Sequence, residues 1–486
     1  MTKLLSDILT KVPVVDQKGN IEIDIQNIEF DSRKVNPGDL FVAVRGTKVD
    51  GHKFIDRAIA AGAVAIISEQ LPFDNQQEVC MIQVEDSSRA LALIASAWYD
   101  DPSEEIKLTG ITGTNGKTTI ATLLYKLFKS LGYKAGLLST IRIYNHDKML
   151  DATHTTPDAL SINAYLRQMV DAGCQYVFME VSSHAIQQNR IYGLDFDIAV
   201  FSNITHDHLD YHKTFENYIK AKKKFFDELP DTAKALVNSD DRNASMMIQN
   251  TKADTFSFAL KKSADYKAKV IENSFEGLQL EINHKALWAR LVGDFNAYNL
   301  LAAYGVASLS GVEDGLILKH LSSLSPVEGR FEVIKANDGR TAIIDYAHTP
   351  DALENVVKTI KNAIKKDQQL IIVVGTGGDR DKTKRPVMAR TAINYADKVI
   401  LTSDNPRTED PSQIINDMKD GIAPDEINNV LEIADRKQAI HTACMIANSA
   451  DIVLVAGKGH ETYQEVNGIR HHFDDKEVVR SIFNNS

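Results

Sequence analysis

The sequence predicts an α/β protein of three domains. The chain has 486 residues, and a typical domain of about 150 residues leaves room for roughly three. Short apolar runs alternate with amphipathic helical stretches along its whole length, a pattern typical of α/β architecture. Polar stretches with proline or glycine interrupt this alternation at 100–105 and 325–330. We therefore expect domains at 1–103, 104–329 and 330–486.

Within each domain the apolar runs predict strands. In the first domain, the runs 39–44 and 64–67 predict strands, and 52–62 and 92–98 predict helices. The second domain begins with a strand at 106–112. The third contains predicted strands at 341–344, 370–374, 398–402 and 452–455, with helices between them.

Composition excludes several classes of protein. Hydrophobic residues make up 43% and charged residues 25% of the chain, as in a globular protein. Asp and Glu number 66 against 55 Lys and Arg, a formal net charge of −11, whereas nucleic-acid binders usually carry the opposite balance. The chain has three cysteines, Cys80, Cys174 and Cys444, which is an odd number, and their spacing is not that of a zinc site. We therefore expect no disulfide framework.

The sequence predicts neither a signal peptide nor a membrane-spanning helix. The N-terminal segment carries Asp7 among its apolar residues, unlike a signal peptide. The longest apolar runs, such as 370–374, have the length of a strand. We expect a cytoplasmic, monomeric protein with no membrane insertion and no nucleic-acid partner.

The strongest motif lies at 109–119, TGITGTNGKTT, between a predicted strand and a predicted helix. Glycines allow backbone N–H groups to approach phosphate oxygens, and the helix N-terminus adds positive potential. Lys117 supplies a cation, and Thr118 stands where phosphate loops bind Mg²⁺. Ile111 occupies the first glycine position of the strict motif. The second glycine-rich segment, 375–380, lacks the last glycine of a dinucleotide site, so ATP is favoured over NAD.

Metal-capable side chains concentrate at 203–212, NITHDHLDYH. One interpretation is a zinc hydrolase that uses His206, His208 and Asp210, although the next histidine is displaced by one residue. A histidine-rich turn with a purely structural role is another interpretation. The phosphate loop favours a third, in which this segment binds Mg²⁺ together with Glu180 at the end of a predicted strand.

Four motifs in this order resemble the Mur ligases, ATP-dependent enzymes that extend the peptide of cell-wall precursors. They are the phosphate loop and the segments 180–184 (EVSSH), 203–210 (NITHDHLD) and 345–350 (DYAHTP). The resemblance spans nearly the whole chain. Segments 31–43 and 378–382 are similar to those of the members that add the third residue of the peptide. Related folate-chain ligases share the central block.

The resemblance implies a fold and a reaction. The central domain would contain a parallel sheet like that of P-loop ATPases, between an N-terminal α/β domain and a C-terminal Rossmann-like domain. The γ-carboxylate of D-Glu in UDP-MurNAc-L-Ala-D-Glu would attack ATP, giving an acyl phosphate and ADP. An amine would then displace phosphate and form an amide. Because both reactants are anionic, their approach needs Mg²⁺ and cations more than a protein nucleophile.

The resemblance also implies catalytic and ATP-site residues. The Mg²⁺ ligands and catalytic residues would include Thr118, Glu180, His208 and Lys222, the last as a carbamate, and Lys117 would act on the phosphates. Carbamylation would convert a repelling cation into hard oxygen ligands, which Mg²⁺ prefers. The ATP site would comprise Gly113, Thr114, Asn115, Gly116, Lys117, Thr118, Thr119, Asn299 and Arg330.

The precursor would be bound by two domains. By the same resemblance its uridine end would meet Ser32, Thr47, Lys48 and Val49, and its muramoyl-peptide end would meet Thr155, Thr156, Ser182, Gln188 and Arg190. The family often has Asn before the paired threonines, where this chain has His154.

Segment 404–407, DNPR, resembles the signature of members that add meso-2,6-diaminopimelate. The planar guanidinium of Arg407 suits the carboxylate at the far end of that amino acid, and Glu461 would face its distal ammonium. The implied amino-acid pocket comprises Arg380, Asp404, Asn405, Pro406, Arg407, Gly457 and Glu461. The alternatives are addition of L-lysine, the zinc hydrolase, and a P-loop nucleotide-binding protein without ligase activity.

Overall fold

The computed structural model describes residues 2–46, 49–70, 79–151, 155–365 and 367–484. Within these residues the chain forms three α/β units, each built on its own sheet, which confirms the predicted fold class. Among the helices of this described part, none combines the length and the apolar character needed to cross a membrane.

The first unit has a small mixed sheet. Its strands lie in the spatial order Val14–Lys18, Cys80–Val84, Ala65–Ser68, Leu40–Val42 and Ile28–Glu29, and Lys3–Leu4 pairs separately with Asp24–Ile25. The α-helices are Leu5–Ile8, Ile55–Ala60 and Ser87–Trp98, with 3₁₀ turns at Gly51–Phe54 and Pro102–Glu104. The helix predicted at 52–62 is thus divided, because the Asp50 side chain accepts from His52 N–H and closes a tighter first turn.

The central unit holds the largest sheet, which is parallel in its middle and antiparallel at both ends. Its strands lie in the order Lys148–Asp151, Arg142–Asn145, Ala135–Leu138, Tyr176–Glu180, Lys107–Thr112, Ile198–Phe201, Lys234–Asn238, Asp254–Ala259, Tyr266–Ser274, Gly277–Ile282 and Lys285–Ala289. Its helices are Lys117–Ser130, Ala159–Asp171, Ser183–Gln187, Leu209–His212, Phe215–Asp227, Ala244–Met247, Asp294–Leu309 and Asp314–Ser323. The helix that follows the phosphate loop buries Ile120, Leu124 and Leu127 against this sheet, as its helical spacing predicts.

The third unit is a parallel sheet with one antiparallel edge strand. Its strands lie in the order Glu332–Lys335, Thr341–Asp345, Ile452–Ala456, Leu370–Thr376, Lys398–Ser403 and Val430–Glu432, with a separate ribbon of Tyr463–Val466 and Ile469–His472. Its helices are Pro350–Ala363, Lys384–Ile393, Pro411–Lys419, Arg436–Ile446 and Asp475–Phe483, with a 3₁₀ turn at Ile427–Asn429. Helices cover both faces of this sheet, so its strands read as continuous apolar runs.

The parallel strands determine where ligands can bind. The strands Lys107–Thr112 and Tyr176–Glu180 are adjacent and parallel, so the phosphate loop and Glu180 lie at one edge of the central sheet. In the third unit, Thr341–Asp345 and Ile452–Ala456 are also adjacent and parallel. Ligands of open α/β sheets bind at the carboxyl ends of their strands, and here these two edges face one common cavity.

Candidate active site

A cavity of about 500 Å³ lies between the central and third units. The phosphate loop forms one wall, and the loops after the third unit's strands form the opposite wall. Most of the predicted site residues line it: Thr114, Asn115, Gly116, Lys117, Thr118, Thr155, Thr156, Glu180, Ser182, Arg190, His208, Lys222, Arg330, Arg380, Asp404, Asn405, Arg407, Gly457 and Glu461. The fold therefore brings together motifs that are hundreds of residues apart in sequence.

The phosphate loop needs glycine at two positions. Gly113 and Gly116 have φ of +151° and +88°, which other residues rarely adopt. A Cβ atom at Gly113 would lie 1.9 Å from Ser202 Oγ, and one at Gly116 would lie 2.5 Å from Asn299 Oδ1. The loop thus turns at residues 113–116, whereas Ile111 is a buried strand residue, so glycine is not needed there.

Buried oxygens converge at the start of the following helix. Thr118 Oγ1 donates to Glu180 Oε2 over 2.9 Å and accepts from Arg330 Nη2 over 3.1 Å. The other oxygen of Glu180 accepts from Thr140 N–H over 2.7 Å. Glu180 is only 1% exposed, and Thr118 and Thr140 donate the hydrogen bonds to its carboxylate. The carboxylate is therefore buried and held in place by neutral donors.

Two lysines approach the same carbonyl of the phosphate loop. Lys117 Nζ donates to Gly113 O and Thr114 O, each over 2.8 Å, and Lys222 Nζ donates to Gly113 O over 2.9 Å. Burial, and then the charge of Lys117, keeps the pKa of Lys222 well below its usual value. Burial also lowers the pKa of Lys117, while Glu180 and Asp207 oppose that shift. Burial therefore disfavours the charged form of both amines.

Histidines form the part of the cavity wall between the two units. His208 has φ of +55°, and its ring makes edge contact with His184. Burial lowers the pKa of His208 to about 3, although Asp207 opposes the shift. His348 Nδ1 lies 2.8 Å from Tyr346 O, and burial lowers its pKa to about 4. Both rings are therefore neutral at pH 7 and free to bind through a nitrogen lone pair.

A cluster of hydrogen-bonded residues lies next to Glu180. Arg190 donates to Thr156 O over 2.7 Å and to Gln188 Oε1 over 2.7 Å. Thr156 Oγ1 donates to Glu180 O and accepts from Ser182 N–H. Thr155 accepts from Thr140. Within the described part of the chain, Arg190 donates to the neutral oxygens of Gln188 and Thr156, so its charge is available to an anion in the cavity.

The far end of the cavity belongs to the third unit. Arg407 Nη1 donates to Gly378 O over 2.7 Å, and Arg407 itself has φ of +51°. Asn405 Nδ2 donates to Glu461 Oε2 over 2.9 Å, and the same oxygen accepts from Lys458 over 3.0 Å. Burial raises the pKa of Glu461. The guanidinium of Arg407 and the carboxyl group of Glu461 thus line the same end of the cavity, as binding of a zwitterionic ligand requires.

Some predicted residues lie outside the cavity wall. Gly113 and Thr119 are buried beneath it, and Asn299 contacts the loop at Gly116 from behind. Gln188 orients Arg190, and Pro406 lies behind Gly378. In the first unit, Ser32 is buried and Val49 is exposed, away from this cavity. Thr47, Lys48 and His154 lie outside the described residues, as does the side chain of Asp210.

Sequence reasoning gave no role to several residues of the wall. Asp207, His348 and Tyr346 line the cavity and lie within the motifs 203–210 and 345–350. Lys458 is buried and donates to Glu461, which lines the cavity. Position within a motif was the available signal. Thr140 gave no such signal, because it meets Glu180 only through the folding of the central sheet.

Comparison with known proteins assigns the chain to a family. Three family models match it: Mur ligase family, catalytic domain, at residues 24–99; Mur ligase middle domain at 111–307; and Mur ligase, glutamate ligase domain, at 329–459. A protein of Bacteroides thetaiotaomicron is 51% identical over 99% of this chain and 100% of that protein. A protein of Parabacteroides distasonis is 52% identical over 99% of each. The chain belongs to the Mur ligase family.

Both relatives bear the name UDP-N-acetylmuramoyl-L-alanyl-D-glutamate–2,6-diaminopimelate ligase. A solved structure of the same name is 34% identical to this Mur ligase, covers 100% of this chain and 99% of its own, and superposes with a TM-score of 0.70. MurF of Thermotoga maritima in complex with ADP is 21% identical over 94% of this chain and 97% of its own, with a TM-score of 0.61, and it shows the shared fold. The predicted family is confirmed, and with it the enzyme class, an ATP-dependent, ADP-forming ligase.

Proposed function

We propose that this Mur ligase joins meso-2,6-diaminopimelate to the D-Glu γ-carboxylate of UDP-MurNAc-L-Ala-D-Glu, in the synthesis of peptidoglycan precursors. ATP would activate the carboxylate as an acyl phosphate, and the amine would then displace phosphate. The observation that carries this proposal is the cavity itself, because the phosphate loop around Lys117 and the guanidinium of Arg407 line the same space. The names of the relatives support the same reaction.

Cations of the chain would hold the anionic reactants together. Lys117 and Arg330 line the cavity and would bind the ATP phosphates, together with the backbone N–H groups of 113–116 and the start of helix Lys117–Ser130. Arg190 would bind the incoming carboxylate, and its hydrogen bonds to Gln188 and Thr156 support this role because they fix its guanidinium. This arrangement lowers the repulsion between carboxylate and phosphate without a protein nucleophile.

The residues near Thr118 fit Mg²⁺. Thr118 and Glu180 offer hard oxygen atoms 2.9 Å apart, and the buried carboxylate of Glu180 accepts its hydrogen bonds from the neutral donors of Thr118 and Thr140. Such oxygens are the ligands that Mg²⁺ prefers. His208 lines the same part of the cavity. When bound, the ion would neutralise charge between the phosphates and the carboxylate, and we keep Thr118, Glu180, His208 and Lys222 as its proposed ligands.

The surroundings of Lys222 favour carbamylation. Its amine is buried, lies over the ring of Tyr218 at 4.8 Å, and shares Gly113 O with Lys117. A lowered pKa increases the fraction of neutral amine, which is the form that adds to CO₂. The product would carry negative charge beside Lys117, with which Lys222 shares the Gly113 carbonyl. We therefore propose that the working enzyme carries a carbamate at Lys222.

Selection of the amino acid would depend on the third domain. Arg407 and Arg380 offer guanidinium groups to carboxylates, and Glu461 offers a carboxylate to the distal ammonium. Diaminopimelate has a second carboxylate that L-lysine lacks, so a bidentate partner such as Arg407 favours diaminopimelate.

The remaining roles of Ser32, Val49, Asn299 and the other assigned residues stay predictions. The domain boundaries at 103/104 and 329/330, the cytoplasmic location and the monomeric state also stay predictions.

Phosphate release tests the proposal. The purified enzyme, Mg²⁺, ATP and UDP-MurNAc-L-Ala-D-Glu would be mixed with meso-diaminopimelate or with L-lysine. We expect release that requires the dipeptide precursor and is faster with diaminopimelate. Faster release with lysine would overturn the assignment of Arg407, and ATP turnover indifferent to the precursor would overturn the ligase reaction itself.

A further inference from the structure

Lys458 is a buried lysine at the amino-acid end of the cavity, and the mechanism above gives it no role. It follows the strand Ile452–Ala456, and its side chain is 0% exposed. Burying an ammonium group is costly unless it is paired and hydrogen-bonded. Its partners therefore indicate what it does.

Lys458 and Asn405 hold one oxygen of Glu461 between them. Lys458 Nζ lies 3.0 Å from Glu461 Oε2, and Asn405 Nδ2 donates to the same oxygen over 2.9 Å. Lys458 also donates to Asn405 Oδ1 over 3.0 Å, and that oxygen accepts from Glu465 N–H over 2.9 Å. The amide of Asn405 can satisfy these contacts in only one orientation, because its oxygen must face two donors.

This arrangement leaves one oxygen of Glu461 for a ligand. Within the described residues, Glu461 Oε1 accepts no hydrogen bond, and Glu461 lines the cavity. Burial raises the pKa of Glu461, Lys458 opposes that shift, and the carboxylate of Asp404 adds to it. Arg380 and Arg407 stand at the same end of the cavity, so both signs of charge are presented at defined positions.

We propose that Lys458 is a positioning residue that holds one oxygen of Glu461 and so aims the other at the distal ammonium of the amino acid. The inference rests on the proposed function and deepens it. Arg407 would recognise the distal carboxylate, and the pair of Lys458 and Glu461 would recognise the amine beside it. The two charged groups at the distal end of the amino acid would then be recognised by separate side chains.

A pair of amino acids separates this role from a structural one. Meso-2,6-diaminopimelate carries the distal amine, and 2-aminopimelate lacks it while keeping the distal carboxylate. We expect Lys458→Met to lower kcat/KM for diaminopimelate about 10- to 100-fold, the range for loss of a hydrogen bond to a charged group. The value for 2-aminopimelate should change less than threefold or so, and KM for ATP should stay unchanged.

Two further variants complete the test. Lys437→Met, an exposed lysine on helix Arg436–Ile446, controls for loss of a positive charge and should behave as the parent. Glu461→Gln should reproduce the loss for diaminopimelate, and the double variant Lys458→Met/Glu461→Gln should lose little more, since the two act as one unit. Equal losses for both amino acids, or additive losses, would overturn the positioning role.

The pH profile provides an independent readout. The titratable groups that face Glu461 are Lys458, Asp404, Tyr346, Tyr463 and Arg436. Without Lys458 the carboxyl group should ionise only at higher pH, so kcat/KM of Lys458→Met for diaminopimelate should recover as pH rises from 6 to 9. An unchanged profile would contradict the proposal. If the parent enzyme itself fails to ligate diaminopimelate, the proposed function fails instead.

Discussion

Asp351 of the third domain accepts a 2.8 Å hydrogen bond from the side-chain amide of Asn115 in the phosphate loop. The same carboxylate oxygen accepts from Thr205 Oγ1 over 3.2 Å. Asp351 lies in the first turn of helix Pro350–Ala363, where the helix dipole favours a negative charge. This contact joins the phosphate loop, which would bind ATP, to the third domain, which would bind the amino acid.

Replacing Asp351 should weaken ATP binding. We expect Asp351→Ala to raise KM for ATP about tenfold, because hydrogen bonds to a charged group contribute about 1.5–3 kcal/mol. Asp351→Asn keeps one acceptor oxygen and should lose less. Initial rates at varied ATP measure the effect, with the exposed residue Asp420 changed to Ala as control. An unchanged KM for ATP in Asp351→Ala would show that the contact does not order the loop.

Loss of Lys222 should abolish ligation. We expect Lys222→Ala to retain less than about 1% of the activity, since an electrostatic group at the reacting phosphate contributes on the order of 3 kcal/mol. Bicarbonate or a short-chain acid should restore part of it by occupying the position of the carbamate. Lys220→Ala is the matched control, because Lys220 lies on the same helix and its ion pair is with exposed Glu216. Full activity in Lys222→Ala would exclude the carbamate.

Loss of Arg407 should affect one substrate only. We expect Arg407→Ala to raise KM for meso-diaminopimelate, with a cost of about 2–4 kcal/mol for a charge-assisted bidentate contact. KM for ATP should change little. Arg407→Lys keeps the charge without the planar fork and should be intermediate. Saturation curves for each substrate decide the matter, and an unaltered KM for diaminopimelate would refute the assigned role.

His348 should make the protein less stable in acid. Burial lowers its pKa to about 4 from 6.5, so between these values the unfolded chain binds a proton that the folded protein does not. Stability therefore falls as pH falls from 6.5 to 4, by about 3 kcal/mol in all. Thermal unfolding at pH 7.5 and pH 5 should show a smaller loss for His348→Gln than for the parent. The exposed His441→Gln should match the parent.

Much of the fold was predictable because it is built on buried parallel strands. The strand predicted at 398–402 is observed at Lys398–Ser403, and the one predicted at 452–455 is observed at Ile452–Ala456. These predictions succeed because a continuous apolar run is typical of a strand that is covered on both faces. The strand predicted at 370–374 is shorter than the observed strand Leu370–Thr376, because Gly375 and Thr376 are buried without being hydrophobic. The helix predicted at 92–98 begins at Ser87, where Asp86 caps it.

The site was predictable where its chemistry lies within one segment. The phosphate loop, Glu180 and segment 404–407 are each read from consecutive residues, and all three line the cavity. Contacts between distant segments gave no local signal. Asn115 and Asp351 are 236 residues apart, and Lys458 meets Asn405 only through the third sheet. Likewise, the sequence does not indicate that Lys117 and Lys222 both donate to the carbonyl of Gly113, because the two lysines belong to different helices.

A competition experiment measures the central claim most directly. The enzyme would receive UDP-MurNAc-L-Ala-D-Glu, ATP and Mg²⁺ with equal concentrations of meso-diaminopimelate and L-lysine, and mass spectrometry would determine the product. We predict a UDP-muramoyl tripeptide that ends in diaminopimelate, formed with one ADP per amide bond. A product that ends mainly in lysine, or ADP without any tripeptide, would contradict the account.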